Sequence, residues 1–267
     1  MSRLSRWLRT VGRVPWHDVL APMIATAPGI GVLRAQASNP MEHIYYSLDD
    51  RRAAKWHHYL EIYERHFARF RGQPVRLLEI GIDQGGSLQM WRRYFGERAV
   101  LHGLDINPLC RTIDDPGVVV HIGNQSDSLV LENIVQAMGG LDILIDDGSH
   151  KPRDQIKTFE TLFPKISAEG IYLCEDVHTS YWRQFGGGLR RRGTFVEYSK
   201  RLLDRMHAWY SDSVWKQDDD RFPYQVRGIF FYDSVVVIEK HQKEQPFVVQ
   251  VGRRGLNEPR PSLQHTS

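Results

Sequence analysis

VRLLEIGIDQGGSLQMW, residues 75–91, is the stretch on which the fold turns. Val75, Leu77, Leu78 and Ile80 form a short apolar run that stops at Gly81. A loop with Gly85 and Gly86 follows, and Leu88, Met90 and Trp91 resume at helical spacing. Strand, tight glycine turn and helix in that order open a nucleotide-binding βα unit. Glycines let the backbone approach a ligand closely, and the helix start offers unpaired N–H groups.

The charge of this turn selects among ligands. In the dinucleotide fingerprint GxGxxG the second Gly lets the backbone touch a pyrophosphate. Here Asp83 holds that place, and Glu79 stands just before the turn. Two carboxylates repel a polyanion and accept a cation carrying an amino group. S-adenosylmethionine, with its sulfonium and ammonium, fits; NAD or a plain structural turn are the alternatives. Glu79, Gly81, Gln84 and Ser87 are the donor-binding residues expected in this stretch.

The chain of 267 residues is long enough for a full core plus an extension. Its 41% hydrophobic and 25% charged content is that of a soluble globular protein. A net charge of +3, with no RNA- or DNA-binding motif, argues against nucleic-acid partners. Cys110 and Cys174 lack metal or redox spacing and fit a reduced, cytoplasmic protein. The absence of an 18-residue apolar run argues against stable membrane insertion. There is neither a P-loop nor a GxSxG motif, which argues against a nucleoside triphosphatase or a serine hydrolase.

Residues 1–72 read as an N-terminal helical arm, poised for substrate or oligomer contacts. Arg3, Arg6, Arg9 and Arg13, interleaved with Leu4, Trp7, Leu8 and Val11, make a basic amphipathic helix. A membrane-surface anchor or a signal peptide ending at AQA (35–37) competes with an arm packing on the body. Pro22, Pro28 and Arg34 spoil the signal reading. Residues 41–74 are expected to be helical, with Trp56, Tyr59, Leu60, Tyr63 and Phe67 as a core stripe. Lys55, His58 and Glu64 share that region and could reach a site, while spacing alone makes them solvated side chains.

From residue 73 to 245 strands alternate with helices. The second strand, 99–104, ends in Asp105, 20 positions beyond Gly85. An acid there is suited to the ribose hydroxyls of an adenosyl group, although a turn or a helix cap explains it too. The third, Val118–Ile122, leads into Gly123, Asn124, Gln125, Ser126 and Asp127. That loop is expected beside the adenine, with Ser126 or Asp127 capping the helix that runs to Met138. The fourth, 141–145, closes with Asp146, Asp147, Gly148, Ser149 and His150, and a helix covers 155–162. The fifth, 170–174, closes with Glu175, Asp176, Val177 and His178. Strands at 229–232 and 235–239 form a hairpin, which makes the last strand antiparallel. The fold class is α/β: a Rossmann-like, doubly wound, mostly parallel sheet. Residues 183–222 form a polar insertion, a candidate lid or substrate loop, and 246–267 a C-terminal tail.

In such sheets ligands bind at the carboxyl ends of the strands. Four carboxylates at the ends of strands four and five (Asp146, Asp147, Glu175, Asp176) repel one another unless a cation neutralises them. Oxygen ligands of this kind suit Mg²⁺, then Mn²⁺ or Ca²⁺. Neighbours at a strand end can face opposite sides, so spacing leaves open which of them bind. His150, three residues after Asp147, shares its side if a helical turn follows, and can take a proton near neutral pH. His178 is the second candidate base. A hydroxyl activated beside the ion would displace methyl from sulfonium, and two adjacent hydroxyls on a sugar or a catechol would chelate it.

LEIGIDQGGSLQMW (78–91), GLDINP (103–108), IDDGSH (145–150) and CEDVHTSYW (174–182) resemble the metal-dependent class I methyltransferases acting on sugar hydroxyls. These include the macrolide and rhamnosyl O-methyltransferases and the cephalosporin-hydroxylase-like proteins. The stretches 55–67 and 231–240 also look similar. The resemblance implies that Asp147, Glu175 and Asp176 bind Mg²⁺, that His150 is the general base, and that Glu79, Gly81 and Asp105 contact the donor. Asp147 and Gln125 complete the expected donor set. Macrolide enzymes of the family often carry a larger N-terminal domain, so a free sugar, oligosaccharide, glycolipid or glycosylated natural product are all candidate acceptors. A homo-oligomer is expected. Competing functions are a catechol-type O-methyltransferase and a non-catalytic S-adenosylmethionine-binding protein.

Overall fold

A computed structural model describes residues 29–211 and 221–252. The basic segment 3–13, part of the polar insertion and most of the C-terminal tail lie outside those residues. Helices α1 (Ile30–Gln36), α2 (Pro40–Tyr46) and α3 (Tyr59–Phe67) precede the sheet. Asn39 caps α2 by accepting from the Glu42 amide, with Pro40 in the first turn, as a helix start favours. Alanine and glutamine of the AQA stretch lie in and just after α1, whose Arg34 guanidinium donates to the Tyr46 carbonyl.

The sheet then builds in βα order. Its elements are β1 (Arg76–Ile80), α4 (Gly86–Phe95), β2 (Val100–Asp105), β3 (Val118–Ile122) and α5 (Ser128–Met138). They continue with β4 (Leu141–Asp146), α6 (Pro152–Leu162), β5 (Ile166–Cys174), α7 (Phe195–Met206), α8 (Phe222–Gln225), β6 (Val226–Tyr232) and β7 (Val235–Lys240). The strand order is β3-β2-β1-β4-β5-β7-β6. The first five strands pair in parallel, and β7 runs antiparallel to both β5 and β6. This is the mostly parallel, doubly wound sheet with an antiparallel last strand that the sequence pattern predicts.

Both faces are covered, which is why the central strands are nearly continuous runs of Leu, Ile and Val. Leu77, Ile143, Ile145, Ile171 and Leu173 meet α2, α3 and α4 on one face. Leu78, Ile80, Leu144, Tyr172 and Cys174 meet α5, α6 and α7 on the other. The strict alternation along β1, β4 and β5 therefore assigns each residue at their carboxyl ends to a face. The order of strands reverses between β1 and β4, so the crevice for a ligand opens there.

Two readings of the N-terminal segment need correction. Residues 41–74 are not one helical stretch: the chain leaves α2 at Tyr46 and is irregular until α3 begins at Tyr59. Tyr59, Leu60, Tyr63 and Phe67 are buried as expected, but Trp56 precedes the helix and packs edge-on to His178. The irregular piece follows its tertiary contacts. Arg51 N–H donates to Gln89, Lys55 N–H donates to the Tyr45 hydroxyl, and Arg52 passes so close to Gly86 that a Cβ there would sit 2.4 Å from its backbone.

Candidate active site

The glycine turn after β1 is built around Asp105. One oxygen of that carboxylate accepts from the amides of Ile82 and Asp83, and the other from Asn107. The turn reading of Asp105 thus describes what its side chain does within the chain, and Oδ1, with a single donor, keeps a lone pair for a ribose hydroxyl. Gly81 has φ +87°, and a Cβ there would lie 2.0 Å from the Asp147 carbonyl oxygen. Only glycine lets the β1 turn lie this close to the end of β4. Inside the turn, Ser87 Oγ donates to Glu79 Oε2 at 2.7 Å, and both side chains are buried. Gln84 is exposed and donates to Asp83.

Gln125 is buried beside Gly148. Its amide donates to Asp146 and Thr158, and its oxygen accepts from the Ser149 amide, so it braces the loop after β4. Asp127 caps α5 through the amides of Leu129 and Val130, while Ser126 bonds Asp154.

Alternation separates the four acids after β4 and β5. Asp146 continues the Leu144 face and hydrogen-bonds Gln125 and Tyr172 in the α5–α6 layer. Burial lifts its pKa to about 6. Glu79 and Glu175 continue the Leu77 and Leu173 face, toward α3. Asp147 lies beyond the strand end on that same side.

Between those three acids sits Lys55. Its Nζ is 2.7 Å from Asp147 Oδ2, 2.9 and 3.0 Å from the two Glu175 oxygens and 3.4 Å from Glu79 Oε1. With 3% of its side chain exposed, Lys55 is no solvated residue, contrary to the expectation from spacing. Glu64 is not solvated either: it accepts from the Met41 amide and the Tyr94 hydroxyl. His58 is half-buried and faces the Asp233 carbonyl.

Burial works against the Lys55 ammonium, but Asp147 and Glu175 more than offset it and raise its pKa well above normal. Burial and the Asp147 charge push Glu175 well up, against the pull of Lys55. Burial likewise raises Glu79 and Asp147. One ammonium among three carboxylates leaves the pocket short of positive charge.

Asp176 completes the outer edge. Its Oδ1 accepts from Tyr59 Oη at 2.7 Å, and its Oδ2 lies 3.7 Å from His150 Nε2. Thr179 Oγ1 donates to the carbonyls of both His150 and Asp176, tying the loops after β4 and β5 together. Asp147, His150 and Asp176 offer ligand atoms within 4.8 Å of one another, the one such trio among the described residues. The reason is not the helical turn expected after Asp147, because 147–151 is irregular. His150 instead takes a left-handed backbone, φ +54°, as do Asp176 at +52° and Asp83 at +43°. Such backbone costs on the order of 1 kcal/mol or more per residue and gathers at functional sites. Glu175 stands outside this trio: Lys55 bridges it to Asp147, and the Tyr63 hydroxyl donates to it at 2.6 Å.

These residues fit a hard divalent ion. Carboxylates and an imidazole, each 15–19% exposed, converge where a lysine ammonium is already drawn in. Of the residues expected to be solvated or core, Lys55, which could reach a site, and the stripe residues Tyr59 and Tyr63 are the ones that belong to it. Tyrosine at two stripe positions where Phe would fill a core, preceded by Lys, is the signal that could have found them. His178 contacts Ser234 through Nδ1, lies 4.0 Å from Asp176, and is lowered in pKa by burial. Ring contacts run from Trp56 through His178 and Trp182 to Phe185 and His150.

No family model matches the chain. It is 38% identical over 199 residues to the 8-demethyl-8-alpha-L-rhamnosyl tetracenomycin-C 2'-O-methyltransferase of Streptomyces olivaceus, a match covering 70% of this chain and 51% of the relative. The mycinamicin VI 2''-O-methyltransferase of Micromonospora griseorubida is 33% identical over 199 residues, covering 71% and 49%. The chain spans about half the length of the curated relatives it matches. The MycE methyltransferase of the mycinamycin pathway, solved with Mg and SAH, superposes with TM-score 0.67 at 30% identity, over 85% of this chain and 58% of that one. A further MycE structure, with Mg, SAH and mycinamycin VI, matches 91% of this chain and 61% of that one, at 28% identity and TM-score 0.67. The chain is a homologue of the sugar O-methyltransferases of these pathways, and it is built on the class I methyltransferase fold.

Proposed function

We propose that the protein transfers a methyl group from S-adenosylmethionine to a hydroxyl of a glycosylated small molecule, with a divalent metal ion, Mg²⁺ first, as cofactor. The observation that carries this reading is the convergence of Asp147, His150 and Asp176 beside the glycine turn of β1. A pure binding protein needs the turn but not that trio. The relatives that methylate rhamnosyl tetracenomycin-C and mycinamicin VI, and MycE with Mg and SAH, support the same reaction here.

Each residue has a role in it. Glu79, steadied by Ser87, faces the positive end of the donor, and Gly81 with the Asp105-braced turn gives it a backbone floor. Asp147 and Asp176 would hold the ion, with Glu175 behind Asp147. When bound, such an ion lowers the pKa of a hydroxyl and fixes its direction. His150 Nε2 takes the hydroxyl proton, and Asp176, 3.7 Å away, steadies the imidazolium that results. The ring series from Trp56 to Phe185 suits a saccharide, whose C–H face stacks on aromatic edges while its hydroxyls reach the carboxylates. No helix among the described residues is long and apolar enough to cross a membrane. A homo-oligomer in the cytoplasm is the setting we propose.

The test is transfer of labelled methyl to a panel of glycosides and catechols, with and without EDTA. Glycoside methylation that EDTA abolishes and Mg²⁺ restores is expected, with His150→Ala slower by roughly 10²–10⁴-fold. Undiminished transfer in EDTA, or transfer to catechols alone, contradicts the reading.

A further inference from the structure

Lys55 occupies Asp147, one of the two carboxylates that the reading above gives to the metal, together with Glu175 behind it, and the following rests on that reading. Its ammonium donates to Asp147 Oδ2 and to both Glu175 oxygens within 3.0 Å, and Glu79 lies at 3.4 Å. The placement is built, not incidental. The Tyr45 hydroxyl accepts from Lys55 N–H and donates to the Ala53 carbonyl, and Arg51 pairs with Asp115 at 3.1 Å. Gly86 leaves the room through which Arg52 and Ala53 pass. The segment is thus held at both ends while it delivers one cation into a pocket otherwise lined by acids.

A divalent ion on Asp147 meets that ammonium across a shared carboxylate. Each oxygen has lone pairs for two partners, so both cations can touch the same group. Two positive charges a few ångströms apart still repel, and the low polarity of a buried site leaves that repulsion poorly screened.

We propose that Lys55 is a positioning residue that sets the metal affinity of the site. Its ammonium holds Asp147 and Glu175 in place when no divalent ion is present, and competes with the ion for Asp147 when one arrives. Removing the charge therefore makes the metal bind more tightly while the metal-free site loses its order. A merely structural lysine would do the reverse, because a loosened site binds metal less well.

The test is Mn²⁺ binding followed by the electron paramagnetic resonance of the free ion, in wild type and Lys55→Met. The variant is expected to bind Mn²⁺ about tenfold tighter or more, and to melt at lower temperature than wild type in EDTA, with the deficit narrowed by Mn²⁺. Equal or weaker Mn²⁺ binding by Lys55→Met overturns the proposal. If the variant does not fold without metal, wild type decides: the ¹H–¹⁵N resonance of the Lys55 ammonium shifts during Mg²⁺ titration, and an unmoved resonance at saturation overturns it. Wild type that binds no Mn²⁺ sinks both this proposal and the metal-dependent reading. Wild type that binds Mn²⁺ and methylates sugars, beside a Lys55→Met that binds no tighter, sinks this proposal alone.

Discussion

Asp146 and Asp147 are adjacent residues of the same type with opposite fates. Asp146 follows the pleat of β4 into the α5–α6 layer, where Gln125 and Tyr172 hold it, and burial lifts its pKa to about 6. An unfolded Asp titrates near 3.9. Between about pH 4 and pH 6 the folded chain keeps a proton that the unfolded chain releases, so this group makes stability fall as pH rises through that window. The whole effect amounts to about 3 kcal/mol. Asp146→Asn is expected to flatten that part of the stability–pH curve in chemical denaturation; a curve of unchanged slope would show that Asp146 is not the group responsible. The pair also marks what sequence alone conveys. Spacing announces acids at two strand ends, but the choice between neighbours depends on which face the strand presents. The sugar O-methyltransferase resemblance pointed to Asp147, and the alternation along β4 supplies a physical reason. Lys55 was beyond reach in another way. It lies outside any periodic pattern, 24 positions before Glu79 and 120 before Glu175, and only the fold brings it to them.

The glycine turn between β1 and α4 is the element on which donor and metal sites both lean. It was legible because its requirements are local: an apolar run, a residue with positive φ, and a helix start. Its second job was not legible. The Gly81 Cα points at the Asp147 carbonyl, so the turn also sets where the β4 loop stands. Gly81→Ala is expected to force these two backbones apart, at a cost of roughly 1–3 kcal/mol or more. Calorimetric titration with S-adenosylhomocysteine should show weakened binding, with a lower thermal midpoint; binding and midpoint equal to wild type would mean that the loops do not meet there. The segment between α2 and α3 teaches the opposite lesson. Its composition allows helix, and its contacts with Gln89, Tyr45 and Gly86 override that preference.

At the scale of the molecule, the two faces of the sheet divide the work. One layer, α5 to α7, fills behind β4 and β5 with Phe159, Leu162, Phe195 and Leu202. The other places α2, α3 and α4 over the first strands, and the tyrosines of α3 extend the core into the site. Strand direction followed from strand–helix alternation ending in a hairpin, because a parallel sheet requires crossover helices. The position of the N-terminal helices could not follow from it, since their apolar stripe would fit either face. What the whole arrangement delivers is a ring of acids at the carboxyl ends of β1, β4 and β5, beside the donor turn. Crystals soaked in Mn²⁺ and read by anomalous scattering test this most directly. A single strong peak is expected at about 2.0–2.3 Å from a carboxylate oxygen of Asp147 and of Asp176; a peak elsewhere, or none in protein that methylates sugars, would contradict this assignment.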